Sequence, residues 1–570
     1  ASAQELADDV QRYLRQEPVV ARPPTAAYRL QNFYARNRLA CLSAAAIAAA
    51  LVIGTIVSVR QAVRATRAEH VARAERDAAN AAGRAEAVAR ADAQRRQEQA
   101  ENLLTFMLGD FRTELQKIGR LTLLDRVGEE AMNYFAGLDP RDLTDTALAR
   151  QAKALTQIGE TRLDEARYPE AAAAFQTAYD RAAALAARHP RDADMLFERA
   201  QAEFWLGFAA RRRGEAQAER DWLTRYRDSA LALVAIDGDK LRARRELTSG
   251  HHNLAVLELE RGNLAGAADG FRAETASIEL MLAAKPGDSQ LRGRLADVAS
   301  WRGTVAERGG DLAAALGQFD EMTSRYAELA QAEPAVARWQ LELARSLVFA
   351  GDVQAVRGLR DDAAARYQRA ESLLAQLVRQ DPKNRSWLVS SLNVGLQQAV
   401  LLAAEQQWAG AAALLAENRR QLEALVQAEP SFQTFTRLLA TAWRTEARVR
   451  LARQQPDAAA AIARAIEFGE PLVKGPQPDE RALAELAQSC VLAGRIATGE
   501  GRDDEARRHW QRAIELLAPR LPGSRDWRLL DPAVQALNLL GRGDEARPLV
   551  EQLRKSGYHP LDPFAGLPAA

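Results

Sequence analysis

Apolar residues recur along this chain at steps of three and four, the spacing of one helical face. No long run alternates Val, Ile and Thr at period two, so the pattern predicts an all-α protein with little from which to build a sheet. One stretch is apolar all round. Leu39 to Val59, LACLSAAAIAAALVIGTIVSV, has no charge in twenty-one residues, and as a helix it would span roughly 30 Å, the thickness of a bilayer's hydrocarbon core. It follows 38 mostly polar residues and is too long for a signal-peptide core, so it predicts a single transmembrane helix at 39–59. Arg36 and Arg38 on one flank face Arg60 and Arg64 on the other, a near tie that sets no orientation. From Arg60 to Glu101 the chain is Ala, Arg, Glu and Gln, with only Val63, Val71 and Val88 to offer a seam. That composition predicts one long solvated helix or a weak coiled coil. Leu104, Leu108, Phe111, Leu115 and Ile118 then mark an amphipathic face, and Leu121 to Leu138 a further helix ended by Gly137 and Pro140. Residues 60–143 are thus expected to form a helical stalk and linker.

From residue 144 onward the pattern repeats. Pro190, Pro286, Pro334, Pro382, Pro430 and Pro478 stand on one ladder with a step of 48, and the remaining rung carries Gly238, which ends a helix as well. Proline is only 21 of 570 residues, so six hits on seven rungs mark a true period. Nineteen residues before each rung lies a small residue, Ala171, Ala267, Ala315, Ala363, Ala411 or Ala459, with Glu219 the exception. Four residues later comes a larger one, Phe175, Phe271, Phe319, Tyr367 or Leu415, weakening to Ala463. A later unit slips by one, with Ala506 and Trp510, and a shorter one has Ala546 and Val550. Twelve residues before the alanine position sits a small residue such as Gly159, Gly207, Ala255, Gly303, Gly351 or Gly494. Small beside large at these offsets predicts helix, turn, helix units that stack, because no single unit can bury its apolar faces alone.

These offsets resemble the tetratricopeptide repeat (TPR), which sets a small residue in helix A and Ala, a large apolar residue and Pro in helix B. The usual 34-residue repeat is shorter than the 48 found here, so helices of about twenty residues each are expected in an α-solenoid covering 144–570. A second resemblance lies at residues 1–38. ELADDVQRYLRQEPVVARPPTAAYRLQNFYARNR, Glu5 to Arg38, is similar to the end of the catalytic domain in bacterial serine/threonine kinases of eukaryotic type. The match rests on Pro18-Val19, Ala21-Arg22-Pro23, Thr25, Tyr28-Arg29, Phe33 and Arg36-Asn37-Arg38. In that family a transmembrane helix and often TPR units follow, and ENLLTFMLGDFRTEL looks like the segment after the membrane helix. The resemblance implies that the catalytic domain, with its ATP and magnesium, precedes Ala1 in the parent protein.

Composition then narrows the chemistry. Charge is balanced, 77 Lys+Arg against 76 Asp+Glu, so no whole-chain field draws the protein to nucleic acid. Cys41 and Cys490 are too far apart in sequence for a CxxC pair and make no disulfide framework. There is no Gly-rich kinase loop, HRD-like loop, DFG or P-loop; Val234-Ala235-Ile236-Asp237 lacks the lysine and Asp269-Gly270-Phe271 is out of order. No catalytic core and no cofactor are expected in this chain. His251 and His252 are adjacent and diverge by about 100° on a helix, which argues against a shared metal.

Binding therefore remains. A protein-binding groove is expected to use Arg211, Arg212, His252, Asn253, Trp301 and Arg308, although Arg211 to Arg213 also suit a solvated helix end and Trp205 and Trp301 also suit packing. The expected function is the protein-interaction and sensor region of a single-pass receptor kinase in the bacterial inner membrane. Its partners would be proteins or peptides, its array would lie outside the cytoplasm, and its parent would be a homodimer. The alternative is a stand-alone membrane-anchored TPR scaffold that assembles envelope proteins.

Overall fold

A computed structural model describes residues 3–20, 25–108, 125–136, 143–237, 240–474 and 479–562. Among them every regular element is a helix, so the all-α expectation holds. Of the sequence features above, Ala21-Arg22-Pro23, Phe111, Leu115, Ile118, Gly137, Pro140, Gly238 and Pro478 lie outside the described residues. The chain divides into two compact units, residues 1–103 and 104–570.

The first unit holds helices Ala3–Leu14 and Ala26–Arg36 and most of a single helix, Arg38–Leu108. That long helix contains the apolar stretch and the charged run in one unbroken rod, because Ala, Leu, Arg, Glu and Gln all favour the helix and no proline interrupts them. Its apolar window has a mean hydropathy of 2.4, and none of it is buried. A second helix, Arg385–Ala404, is also long and apolar enough to cross a membrane, but 44% of it is buried among its neighbours as a core helix of the array.

The second unit begins, among described residues, with helix Asp125–Ala136, whose Phe135 is buried against the array and whose carbonyl accepts from Arg181 Nη2 at 2.7 Å. Nine helix hairpins follow. In hairpins 1 to 7 the A helices start at Asp145, Ala193, Leu241, Ser289, Ala337, Arg385 and Gln433, each 48 residues from the last. A helices of these hairpins run 20 residues and most B helices run 21, as in Asp145–Asp164 and Tyr168–Arg188. The fourteen residues beyond an ordinary repeat therefore lengthen the helices, and the hairpins resemble those of TPR solenoids. Among the described residues the ladder prolines each stand just past a B helix, outside it: Arg188 ends one, His189 caps it and Pro190 follows. Three residues on, the next A helix starts, often with a side-chain cap such as Asp192, Asp288 or Asn384 accepting from its first turn.

The turn inside each hairpin obeys the same period. Ala166, Gly214, Gly262, Gly310, Gly358, Gln406 and Gln454, each 48 apart, all have positive φ, from 52° to 78°. This left-handed residue ends helix A, and glycine holds it most easily. Hairpin 7 then breaks the rhythm: its B helix stops at Gly469 and a 3₁₀ turn, Glu470–Val473, takes over. Hairpins 8 (Glu480–Gly499, Asp503–Leu517) and 9 (Trp527–Leu539, Gly543–Lys555) are shorter and slip in register.

Stacking does not stop at nearest neighbours. One hydrophobic cluster joins Ala296, Phe319, Tyr326, Trp339 and Tyr367 of hairpins 4 and 5 to Leu530, Val534, Val550, Leu553 and Tyr558 of hairpin 9 and its tail. The array thus coils until its last hairpin packs against its fourth and fifth. Polar contacts reinforce the closure. Trp527 Nε1 donates to Glu307 Oε1 at 3.1 Å, Arg528 Nη1 to Glu307 Oε2 at 3.1 Å, and the His559 amide to the Val356 carbonyl at 2.6 Å.

Candidate binding surfaces of the array

The inner surface of the array is made by A helices, and the 48-residue period fixes which side chains face it. One register holds Trp205, Asn253, Trp301, Phe349, Gln397 and Thr445, again 48 apart. Where this position is aromatic it stacks on the large residue of the preceding B helix: Trp205 on Phe175 at 5.4 Å between ring centroids, Trp301 on Phe271 at 5.7 Å and Phe349 on Phe319 at 5.4 Å. Trp301 is therefore half-buried packing, held between Phe271 and His252, and its neighbour in register is Asn253.

Asn253 and His252 line a shallow hollow of about 310 Å³ between hairpins 2, 3 and 4, together with Gln201, Phe204, Glu246 and Arg294. The Glu246 carboxylate accepts from Gln201 Nε2 and from the Tyr226 hydroxyl, both at 2.7 Å, so its charge is already engaged. Burial, with that carboxylate beside it, pushes the Tyr226 hydroxyl well above the usual tyrosine range. His252 Nδ1 lies 2.9 Å from the buried Glu274, and its ring packs edge-on against Trp301 at 5.7 Å. His251 points elsewhere and burial lowers its pKa, with Arg227 adding to the effect. No group of three or more His, Cys, Asp or Glu is placed to hold a metal among the described residues.

Of the six residues expected in the groove, the structure brings together His252, Asn253 and Trp301. The other three stand apart. Arg211 pairs with Glu260 at the end of an A helix, Arg212 lies over the Phe208 ring at 5.1 Å, and Arg308 donates to the Leu259 carbonyl at 3.1 Å and pairs with Glu480 across the closure. Arg308 joins hairpin 4 to hairpin 8, a contact no local pattern could reveal.

A second concavity went unread in the sequence. Where the array closes, the A helices of hairpins 4 to 9 surround a chamber of about 330 Å³. Its floor holds Arg437, Arg444 and Arg448 of hairpin 7 and Arg481 and Glu485 of hairpin 8. Asp352 faces them from hairpin 5 and Asp531 from hairpin 9. Burial pushes the Asp352 carboxyl up to about 6 and the Asp531 carboxyl up to about 7. Glu485 behaves otherwise: burial alone would raise it, yet Arg481, Arg437 and Arg444 outweigh that and hold it below the usual range. The signal available in advance was faint. Arg437, Arg444 and Arg448 fall at i, i+7 and i+11, one face of a helix, but a charged face is more often solvated than enclosed.

No protein-family model matches this chain, and no curated protein matches it. Among solved structures it is similar to aspartyl phosphate phosphatase F from Bacillus subtilis, at 12% identity over 72% of this chain and 93% of that one, with a TM-score of 0.41. It is also similar to the apo form of the quorum sensor NprR from B. thuringiensis, at 13% identity over 74% and 99%, with a TM-score of 0.39. A tetratricopeptide repeat protein from Parabacteroides merdae matches at 12% identity over 60% and 98%, with a TM-score of 0.32.

Proposed function

We propose that this chain is the membrane-anchored, protein-binding and sensory region of a bacterial serine/threonine receptor kinase. The observation that carries the reading is the apolar stretch on helix Arg38–Leu108. Leu39, Ile47, Leu51 and Ile53 are 84%, 62%, 66% and 61% exposed in a chain whose array buries most of its aliphatic side chains. Each such side chain gains about 1.5–3 kcal/mol on leaving water, and a bilayer core of matching thickness would cover residues 39–59 together. The kinase part of the reading rests on the resemblance of Glu5 to Arg38. It is supported by helix Ala3–Leu14, whose Leu6, Val10 and Leu14 share one face and are 68%, 51% and 74% exposed among the described residues.

In this reading the kinase side faces ATP in the cytoplasm, one crossing places the array outside, and the run from Arg60 to about Glu101 is a stalk of roughly 60 Å. The hollow beside His252, Asn253 and Trp301 receives a protein or peptide, and pairing of two stalks carries the signal inward. Neither nucleic acid nor a cofactor takes part in this chain. The test is a pair of reporters fused after Ala570 of the full chain. Alkaline phosphatase should be active there and a cytoplasm-only reporter silent. The reverse pattern overturns the receptor reading and leaves the scaffold reading in its place; an in-frame DFG and APE just upstream of Ala1 in the gene would settle between them independently.

A further inference from the structure

The chamber at the closure has an unbalanced floor. Arg437 Nη1 and Arg481 Nε reach the same oxygen of Glu485, Oε1, at 3.2 and 3.0 Å, while Arg444 Nη1 donates to the Glu485 backbone carbonyl at 2.9 Å. Two guanidinium groups thus share one carboxylate oxygen, and a third is held beside them by the backbone carbonyl of the same residue. The lining as a whole holds five arginines and five carboxylates, but the other acids are engaged away from this cluster. Arg528 is matched by Glu307 and by a bidentate contact with Asp526, and Arg448 lies 3.7 Å from Asp562. Asp352 accepts from the Tyr367 hydroxyl at 2.7 Å, and with Asp531 it is pushed by burial toward the neutral form. Three polar atoms in the wall have no hydrogen-bond partner among the described residues: the hydroxyl oxygen of Thr441, which is 8% exposed, Nε of Arg448 and Oδ1 of Asp531. Buried cations crowded around one carboxylate, and unsatisfied polar atoms beside them, are costly, and a natural structure that keeps them side by side usually fills the place with something.

We propose that this chamber is a binding site for a small anionic molecule, one carboxylate or phosphate group on a compact apolar body, anchored by Arg437, Arg444 and Arg481. Arg437, Thr441, Arg444 and Arg448 fall at i, i+4, i+7 and i+11, so a single stripe of helix Gln433–Ala452 presents three guanidinium groups and a hydroxyl to one ligand. Guanidinium groups suit carboxylate and phosphate oxygens because their paired N–H groups match two oxygens at once. Phe349, Leu396, Leu438 and Val491 supply the apolar wall. The volume of about 330 Å³ sits at the small end of the roughly 300–1,000 Å³ of small-molecule sites, and the packing of hairpin 9 on hairpins 4 and 5 encloses it. An extended peptide suits the open hollow of hairpins 2 to 4 better. The site concerns hairpins 4 to 9 alone and does not depend on the membrane or kinase reading.

The test is calorimetric titration of the full chain, purified in detergent, with phenyl phosphate and separately with benzoate. Saturable binding of one molecule per chain is expected for at least one probe, and which of them binds tells phosphate from carboxylate chemistry. Arg437→Gln and Arg444→Gln should each weaken it about tenfold or more, the loss of one charge-assisted contact. Arg547→Gln, on the exposed side of hairpin 9, should bind as the parent does. If circular dichroism shows that either chamber variant has lost helix, Thr441→Val takes its place and should weaken binding by several-fold. Failure of both probes to saturate overturns the proposal, as does undiminished affinity in the folded chamber variants. The topology reporters would read the same in either case.

Discussion

The ring of Phe319 fills the place where a side chain on Gly303 would begin: a Cβ built on Gly303 would lie 2.6 Å from Cε1 of that ring. The two residues are sixteen apart, one in helix A and one in helix B of hairpin 4, and Phe319 is fully buried. The same pairing recurs at Gly351 and Tyr367, where the distance is 2.7 Å. In an exposed helix Gly→Ala gains about 1 kcal/mol, but overpacking a core contact costs about 1–3 kcal/mol. Gly303→Ala should therefore lower the stability of the array in urea unfolding, while Gly83→Ala, with nothing within 4 Å of the new Cβ, should raise local helix stability. Equal effects at the two sites would mean that the small residue is not a packing requirement.

At Gly262 the constraint is the backbone rather than the space. Its φ is 76° and nothing lies within 4 Å of a Cβ placed there. Gly262→Ala should cost about 1 kcal/mol through the left-handed conformation alone. Thermal melts of Gly262→Ala and Gly83→Ala should move in opposite directions although the substitution is the same.

Glu307 ties the closure together, since it is 6% exposed and accepts from both the Trp527 indole and the Arg528 guanidinium. Glu307→Ala leaves Arg528 with Asp526 alone and takes the acceptor from the Trp527 indole, and should destabilise by about 1–3 kcal/mol. Hydrogen exchange should localise the damage, with the His559 amide, bonded to Val356, losing protection before those of hairpins 1 and 2. Asp544→Ala removes a partner of Arg547 that is 92% exposed and should change nothing measurable.

Asp531 sets a pH dependence whose sign follows from its burial. Its carboxyl stands at about 7 when folded against an ordinary 3.8, so between those values the folded chain holds a proton that the unfolded chain has lost. Stability from this group is complete below about pH 4 and is lost as pH rises through about 7. Asp531→Asn keeps an oxygen for Gln535 Nε2 and removes the ionisation. The variant should melt higher than the parent at pH 8, by an amount on the order of a few kcal/mol, with the gap closing at pH 5. A gap that widens on acidification would refute the assignment.

Much of this molecule was legible before any coordinates. The step of 48, the small residues at Gly303 and Gly351, and the large partners Phe319 and Tyr367 are nearest-neighbour requirements. They involve residues within one hairpin or the next, so they leave a periodic trace in the chain. Helix lengths near twenty followed from the same arithmetic, and the apolar run at 39–59 shows in its own composition. Asn253 and Trp301 share a register because the period that places one places the next, and His252 packs against Trp301. Arg211, Arg212 and Arg308 did not join them, since their partners are set by helix ends and by a distant hairpin.

The closure belongs to the tertiary structure alone. Each hairpin adds a small rotation, and whether hairpin 9 meets hairpins 4 and 5 depends on the sum of those rotations. Helix shortening after Gly469 and the one-residue slip in hairpin 8 alter that sum. Contacts such as Glu307 with Trp527, 220 residues apart, have no period and leave no pattern to read. The chamber exists only because of them. The sequence determined the repeat, its helices and the pairs that hold each hairpin, because those are local packing rules. Which charged faces the coil would enclose, among them Arg437, Arg444 and Glu485, was decided by geometry accumulated over six hairpins.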